Sequence, residues 1–269
     1  MTRRRVSLEP LSIPEVDAHT LVGIAARTGF DYVSMVLHSP VPAMPADVIV
    51  RDRDLRRDTA TAMRDQGIGL STIECFNLTA DANPEGFAAG LVCGHELGAR
   101  NATAIVWENP DRADALAKLR RLCDMAREMS IRINVEFFAF CESIGSLDAA
   151  VSFVRDSGRE NAGLQMDILH LIRSGGSIED VRRLDPALIS ATQISDGPLI
   201  LRKDEFATEA GTNRMVPGEG EFPIGAFLSA IPPEIVVGVE VPQIPLIGTV
   251  TPDDRARALR AAAGRFLEN

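Results

Sequence analysis

The sequence predicts an α/β protein of the (β/α)8 barrel class, a single domain occupying residues 1–269. Three observations predict it. Short apolar runs alternate with stretches of helical spacing, and eight such units fit a chain of 269 residues. The apolar content is mainly aliphatic, with 11 Phe but one Trp (Trp107) and one Tyr (Tyr32), which suits parallel strands covered by helices. No linker, heptad run or low-complexity tract divides the chain. An open doubly wound sheet is the competing arrangement. It loses support because no GxGxxG follows the first apolar run and no GxxxxGK motif appears anywhere.

Taken in order, Val6–Leu8 is the first expected strand. Residues 16–28 follow as a helix, with Val22, Ile24 and Ala25 after a polar start. Tyr32–Leu37 is the second strand and 52–66 a charged helix. Gly69–Cys75 is the third strand, and 86–97 a more buried helix. Ala102–Trp107 precedes the strongest helical pattern, 111–130, with Leu116, Leu119, Leu122 and Met125 on one stripe. Arg132–Phe138 is followed by a helix over 147–157, and Gly163–Ile168 by one over 177–184. Leu188–Ser195 and a helix over 224–230 lead to Ile235–Val241, and a helix over 253–266 ends the series. Capping signals mark three helix starts: Asn109-Pro110-Asp111, the capping-box pattern Ser177-Ile178-Glu179-Asp180, and Thr251-Pro252-Asp253-Asp254.

The net charge of −10 opposes an extended nucleic-acid surface. The cluster Thr2-Arg3-Arg4-Arg5 has no long apolar segment behind it, so it reads as a solvated chain end, neither secretory signal nor membrane anchor. Cys75, Cys93, Cys123 and Cys141 are widely spaced and form no CxxC pair. They are expected as reduced thiols, with the protein cytoplasmic.

In a barrel of this class the reacting groups sit at the carboxyl ends of the strands. The fifth run (RINVEFFAF) offers Glu136, the sixth (LQMDILH) Asp167, the seventh (ISATQISDG) Gln193 and the eighth (VVGVEVP) Glu240. One acid alone would read as a paired structural residue. Four oxygen-bearing side chains at equivalent ends of consecutive strands point instead to a shared cation, because three carboxylates in a pocket of low dielectric repel one another. Oxygen ligands suit Mg²⁺ or Mn²⁺ first, with Zn²⁺ or Co²⁺ as alternatives.

These strand ends, together with DILHLIRSGG, TQISDGP, RMVPGEGEFP and VGVEVP, resemble the xylose isomerase-like TIM barrels. That superfamily includes sugar isomerases, ketose 3-epimerases, inosose dehydratases and endonuclease IV-type DNA repair enzymes. The resemblance spans nearly the whole chain, its specific motifs lying in the second half. It implies Glu136, Asp167, Gln193 and Glu240 as metal ligands. Gln193 stands where the ketose epimerases carry a histidine. It further implies that His170, in D-x-x-H, contacts a substrate oxygen and that Glu142 helps hold substrate. Arg214 and Glu219 are implied to close over the substrate or brace their loop. Glu74, Trp107 and His38 end earlier strands and are expected to line the pocket. Trp107 reads equally as a stacking platform or as core, and His19 and His95 fall in helices without a chemical role. The basic residues Arg202, Lys203 and Arg214 are not accompanied by a Gly-rich phosphate nest, so a phosphorylated substrate is not implied.

The expected reaction follows from the constellation. Glu136 and Glu240 exchange a proton alpha to a carbonyl, through an enediolate stabilised by the metal. The expected substrate is a sugar or polyol, and the activity isomerase or epimerase. Beta-elimination from the same enediolate, as in a dehydratase or lyase acting on a keto-sugar or keto-glycoside, is the alternative. A sugar-binding barrel without turnover is the second alternative. The DNA-repair reading is weakened by there being four histidines in all. No nucleic-acid or membrane partner is expected, and a homodimer is the expected assembly.

Overall fold

The computed structural model describes residues 3–38 and 48–267. Its chain order is β1 (Val6–Leu8), α1 (Ala18–Thr28), β2 (Tyr32–Val36), α2 (Val48–Arg51), α3 (Arg53–Gln66), β3 (Gly69–Asn77), α4 (Ala88–Glu96), β4 (Asn101–Ile105) and α5 (Arg112–Arg127). Then come β5 (Arg132–Val135), α6 (Leu147–Ser157), β6 (Ala162–Asp167), α7 (Ile168–Arg173), α8 (Ile178–Arg182), β7 (Ile189–Ile194), α9 (Phe206–Thr212), α10 (Ile224–Ala230), β8 (Val237–Val239) and α11 (Pro252–Leu267). The strands are parallel and close in sequential order into a barrel. Closure is made by β1 against β8, with Val6 opposite Val237 and Leu8 opposite Val239. No helix among the described residues is long and apolar enough to cross a membrane.

The helices start where side-chain acceptors satisfy their free amides. Asp17 caps α1, Asp52 caps α3 and Asp111 caps α5. Ser177 and Asp180 form the reciprocal capping box of α8, and Thr251 Oγ1 accepts from Asp254 N at the start of α11. Aliphatic faces of α1, α5 and α6 pack on the strands around Leu8, Val33, Ile133 and Leu164, all fully buried.

The differences from the sequence reading have local causes. The fifth strand ends at Val135 rather than Phe138, because after Glu136 N bonds Ala104 O the chain turns, with Phe138 N bonded to Ile144 O. Ile168 belongs to a helix, not to the sixth strand, because Asp167 Oδ1 accepts from Leu169 N and starts α7 directly at the strand end. The helix expected from residue 86 begins as a 3-10 turn over Pro84–Phe87. Helices α2, α7 and α9, of 4, 6 and 7 residues, were not anticipated. The N-terminal arginines are tied down rather than simply solvated: Arg3 pairs with Asp31, Arg4 donates to Ile231 O, and Arg5 donates to Tyr32 Oη. Thr2 lies outside the described residues.

Candidate functional site

The strand ends deliver more acids than the four-ligand reading named. Glu136 follows β5, Asp167 ends β6, Gln193 lies within β7 and Glu240 follows β8, all buried. Glu74 near the end of β3 and Glu9 just past β1 are buried beside them. Gly238 makes room for Glu9. A Cβ on Gly238 would lie 2.8 Å from the Glu9 carboxyl carbon and 3.0 Å from Gln193 Cγ, so only a glycine lets that carboxyl sit against β8.

The cation that the sequence demanded is supplied in part by the chain itself. Arg214 places Nη1 2.7 Å from Asp167 Oδ2 and Nη2 2.9 Å from Glu240 Oε2, while its Nε donates to Ala210 O at 2.9 Å. The guanidinium is oriented by α9 on one side and by two carboxylates on the other. Asp196 fixes the loop that carries it, accepting from the backbone amides of Gly197, Gly218 and Phe222. Gly220 packs so closely on that carboxylate that a Cβ would fall 2.4 Å from Asp196 Oδ1. From α7, Arg173 anchors α9 through a buried pair with Glu209 at 2.6 Å.

Gln193 presents nitrogen, not oxygen, to the acids. Its Oε1 accepts from Gln165 Nε2 at 3.0 Å, and Gln165 Oε1 accepts from Thr103 at 2.6 Å. Its Nε2 faces Glu240 Oε1 at 3.2 Å and Glu9 Oε2 at 3.4 Å. An amide oxygen turned toward two carboxylates would be repelled, so the acids themselves fix this orientation. Gln193 thereby braces Glu9 and Glu240 and turns its amide oxygen toward Gln165.

A cavity of about 200 Å³ opens at this end of the barrel. Its polar groups are Glu74, Glu136, His170, Arg214 and Glu240; Asp167 and Gln193 lie behind them. Its apolar walls include Leu11, Val36, Ile105, Trp107, Phe138 and Phe140, and α9 contributes Ala207, Ala210 and Gly211. His170, on α7, stands edge-on to Phe138 with centroids 4.4 Å apart, and its Nε2 is 3.8 Å from Asp167 Oδ2.

Burial sets the protonation pattern. It pushes Glu136 well up, reinforced by the negative charges of Glu240 and Asp167 and partly opposed by Arg214. Glu74 is likewise pushed well up by burial and then by Glu9, Glu240 and Glu136, and Glu9 is raised by burial. Glu240 rises by burial to about 7, held from rising further by Arg214. His170 is driven down to about 3 by burial despite Asp167, so its ring is neutral at pH 7. Burial pulls the Arg214 guanidinium down, but Asp167 and Glu240 outweigh it and keep the group charged. The centre thus pairs a fixed cation with carboxyls whose pKa values burial raises.

The remaining sequence candidates are spread out. Trp107 lies at the cavity rim, 38% exposed, with its ring 6.3 Å from that of Phe140. Glu142 is exposed and borders a neighbouring depression that shares Trp107 and Phe140 with the cavity. Glu219 is exposed on its loop and does not line the cavity. His38 packs between the rings of Phe76 and Phe87, 5.1 Å from each, against Gly90 of α4 and outside the cavity lining. Arg202 pairs with Asp204 at the surface. His19 and His95 lie on α1 and α4, as expected. Sequence reasoning missed Glu9, Phe138 and Phe140. Glu9 directly follows VSL, so the strand-end rule, applied to the first strand as to the last four, would have found it.

The donor set suits a divalent cation. Glu136, Asp167 and His170 offer ligand atoms that all lie within 4.8 Å of one another, and Glu9, Glu74 and Glu240 form a second such group. Glu136 Oε1, Glu74 Oε1 and His170 Nδ1 are buried without a hydrogen-bond partner, an arrangement that costs free energy unless another group engages them. Two carboxylates and a neutral imidazole are the ligand types Mn²⁺, Co²⁺ and Zn²⁺ accept.

Comparison with known proteins agrees with this architecture. A family model described as xylose isomerase-like TIM barrel matches residues 22–264. An inosose isomerase of Bacillus licheniformis is 29% identical over 124 residues, which are 45% of this chain and 42% of that protein. The match therefore spans less than half of that curated relative. A solved IOLI protein with a binding zinc atom superposes with a TM-score of 0.80 at 20% identity, covering 98% of each chain. A D-psicose 3-epimerase solved in the presence of D-fructose gives 0.77 at 18% identity, covering 98% of this chain and 99% of that one. At these identities the two solved structures speak for the fold alone.

Proposed function

This chain belongs to the xylose isomerase-like TIM barrel family, and we propose that it is a divalent-metal-dependent sugar or polyol isomerase or epimerase that moves a proton alpha to a carbonyl through an enediolate. The observation that carries the reading is the pairing of Glu136 and Glu240 in one cavity, both buried, with Arg214 against Glu240. The names of the similar proteins, an inosose isomerase and a D-psicose 3-epimerase, favour the same substrate class.

Glu240, about half ionised near pH 7 and increasingly so above it, removes the alpha proton; a carboxyl poised near the working pH is the efficient compromise between ionisation and basicity. Glu136, whose carboxyl burial pushes well above its ordinary range, is the partner that returns a proton from its side of the substrate. Arg214 stabilises the negative charge that develops between them, and its pairing with Asp167 means that it need not reorganise as that charge forms. His170, neutral and fixed against Phe138, orients a substrate hydroxyl. A divalent cation held by Glu136, Asp167 and His170 would supply Lewis acidity toward a carbonyl oxygen. Helix α9, pinned by Arg173, limits water around the reacting carbons.

Glu74 favours elimination as a second reading. It is a third buried carboxyl on the same cavity, its pKa pushed well up by burial, with Oε1 unpartnered. Such a group can protonate a departing beta oxygen. The test is product analysis by NMR after incubating metal-supplemented protein with ketoses and keto-glycosides. Epimeric or isomeric ketose supports the first reading and an unsaturated ketone the second. Unchanged substrate throughout removes both and leaves a binding barrel.

A further inference from the structure

The cavity divides into a polar part and an aromatic part. Its polar groups are contiguous: Arg214 joins Asp167 to Glu240, and the two clusters of acids flank that bridge. Away from them an aromatic ladder climbs to the surface. His170, 2% exposed, stands 4.4 Å from Phe138; Phe138 stacks on Phe140 at 5.4 Å with 17° between ring planes; Phe140 meets Trp107 at 6.3 Å; and Trp107 is 38% exposed at the rim. Leu11, Val36 and Ile105, whose side chains carry no hydrogen-bonding group, complete the apolar wall.

A free hexose carries hydroxyls all around its carbon skeleton. It can lay one C–H face on a ring, but its remaining hydroxyls would then stand dry and unpaired against the apolar walls, which costs free energy. A flat aromatic group gains from the same surroundings, since offset and edge-to-face ring contacts add to the burial of apolar area. From this division of the cavity we propose that the substrate is a keto-sugar bearing an aromatic substituent. Its sugar part sits at Glu136 and Glu240, and its ring lies against Phe140 and Trp107. The proposal rests on the proton-transfer reading for the sugar end, whereas the aromatic subsite rests on the ladder alone.

The only tryptophan of the chain lies at this rim, so intrinsic tryptophan fluorescence reports on the subsite directly. Phenyl β-D-glucopyranoside and methyl β-D-glucopyranoside are titrated into the purified full chain, with calorimetry as the second readout. The phenyl compound is expected to shift Trp107 emission saturably and to bind at least tenfold more tightly than the methyl compound. Phe140→Ala, on a half-buried side chain, should reduce that ratio below threefold with the melting temperature little changed. Affinities within twofold of each other, no saturable change with either ligand, or a phenyl advantage that survives Phe140→Ala would overturn the proposal. Failure of the underlying reading looks different. A phenyl advantage together with no solvent proton exchange on the phenyl 3-keto-glucoside upholds the subsite and removes the proton transfer. Exchange on free ketoses without a phenyl advantage upholds the proton transfer and removes the subsite.

Discussion

Arg214 and Asp167 form a fully buried ion pair, Nη1 to Oδ2 at 2.7 Å, and the other arm of the same guanidinium reaches Glu240 at 2.9 Å. The barrel mouth therefore carries its own countercharge for two of the acids that read, in sequence, as ligands of a metal. The pair is held from outside by Ala210 O and by the loop wrapped on Asp196.

Replacing the guanidinium exposes how much it neutralises. Arg214→Met leaves Asp167 and Glu240 buried without their partner and is expected to cost about 3–5 kcal/mol, the usual penalty for breaking a buried pair on one side. Mn²⁺ should then raise the melting temperature of Arg214→Met by more than it raises that of the wild type, because two carboxylates have been freed to accept it. Thermal denaturation of both proteins with and without Mn²⁺ measures this. A variant as stable as wild type in the absence of metal would show that the bridge carries little.

Gly238→Ala probes the space through which Glu9 enters the site. The new methyl would meet the Glu9 carboxyl at 2.8 Å and Gln193 Cγ at 3.0 Å, so one of the two must move. Overpacking of this kind costs about 1–3 kcal/mol. Displacing Gln193 also loosens its contacts to Glu240, so turnover is expected to fall along with stability. Chemical denaturation and steady-state rates on the same preparations test the pairing; full activity in a destabilised variant would separate Glu9 from the chemistry.

Cys123, on α5, gives a pH dependence with a defined sign. Burial, followed by the charge of Asp124, pushes its thiol from the ordinary 9.0 to about 12. The folded-state value lies above the unfolded one, so the stabilisation is complete below about pH 9 and is lost as pH rises toward 12, at about 1.4 kcal/mol per pH unit. Cys123→Ala lacks this slope. The wild type should exceed the variant by about 1–2 kcal/mol at pH 8 from packing alone. By pH 10.5 the gap should close or reverse. A gap that stays constant in urea denaturation across that range contradicts the assignment.

The barrel was legible because its evidence is local: strand runs such as Ala102–Trp107 and helix stripes such as Leu116, Leu119 and Leu122 each carry their own period. The acids at the ends of β5, β6 and β8 were legible for the same reason, each interrupting an apolar run. Gln193 was found by position, but the direction of its amide depends on Gln165, Thr103, Glu9 and Glu240, which come from four other strands or strand ends. Arg214 was singled out as a loop residue, yet its insertion between Asp167 and Glu240 depends on a loop folded around Asp196, a contact no short window contains. Phe138 and Phe140 hid inside RINVEFFAF, which reads as one strand until the turn after Glu136 is known. Glu219 and Glu142 were expected beside the substrate from the resemblance alone, and the loop geometry leaves both exposed.

The central claim is that Glu136 and Glu240 move a substrate proton between them. The measurement that tests it most directly is deuterium incorporation at the carbon alpha to the carbonyl, followed by NMR in D₂O with metal-supplemented protein. It is run on wild type, Glu136→Gln and Glu240→Gln, each shown by circular dichroism to be folded. The account predicts time-dependent incorporation by the wild type and a loss of at least about 10²-fold in both variants, the usual scale for removing a general acid or base. Incorporation at the wild-type rate in folded Glu240→Gln would contradict it.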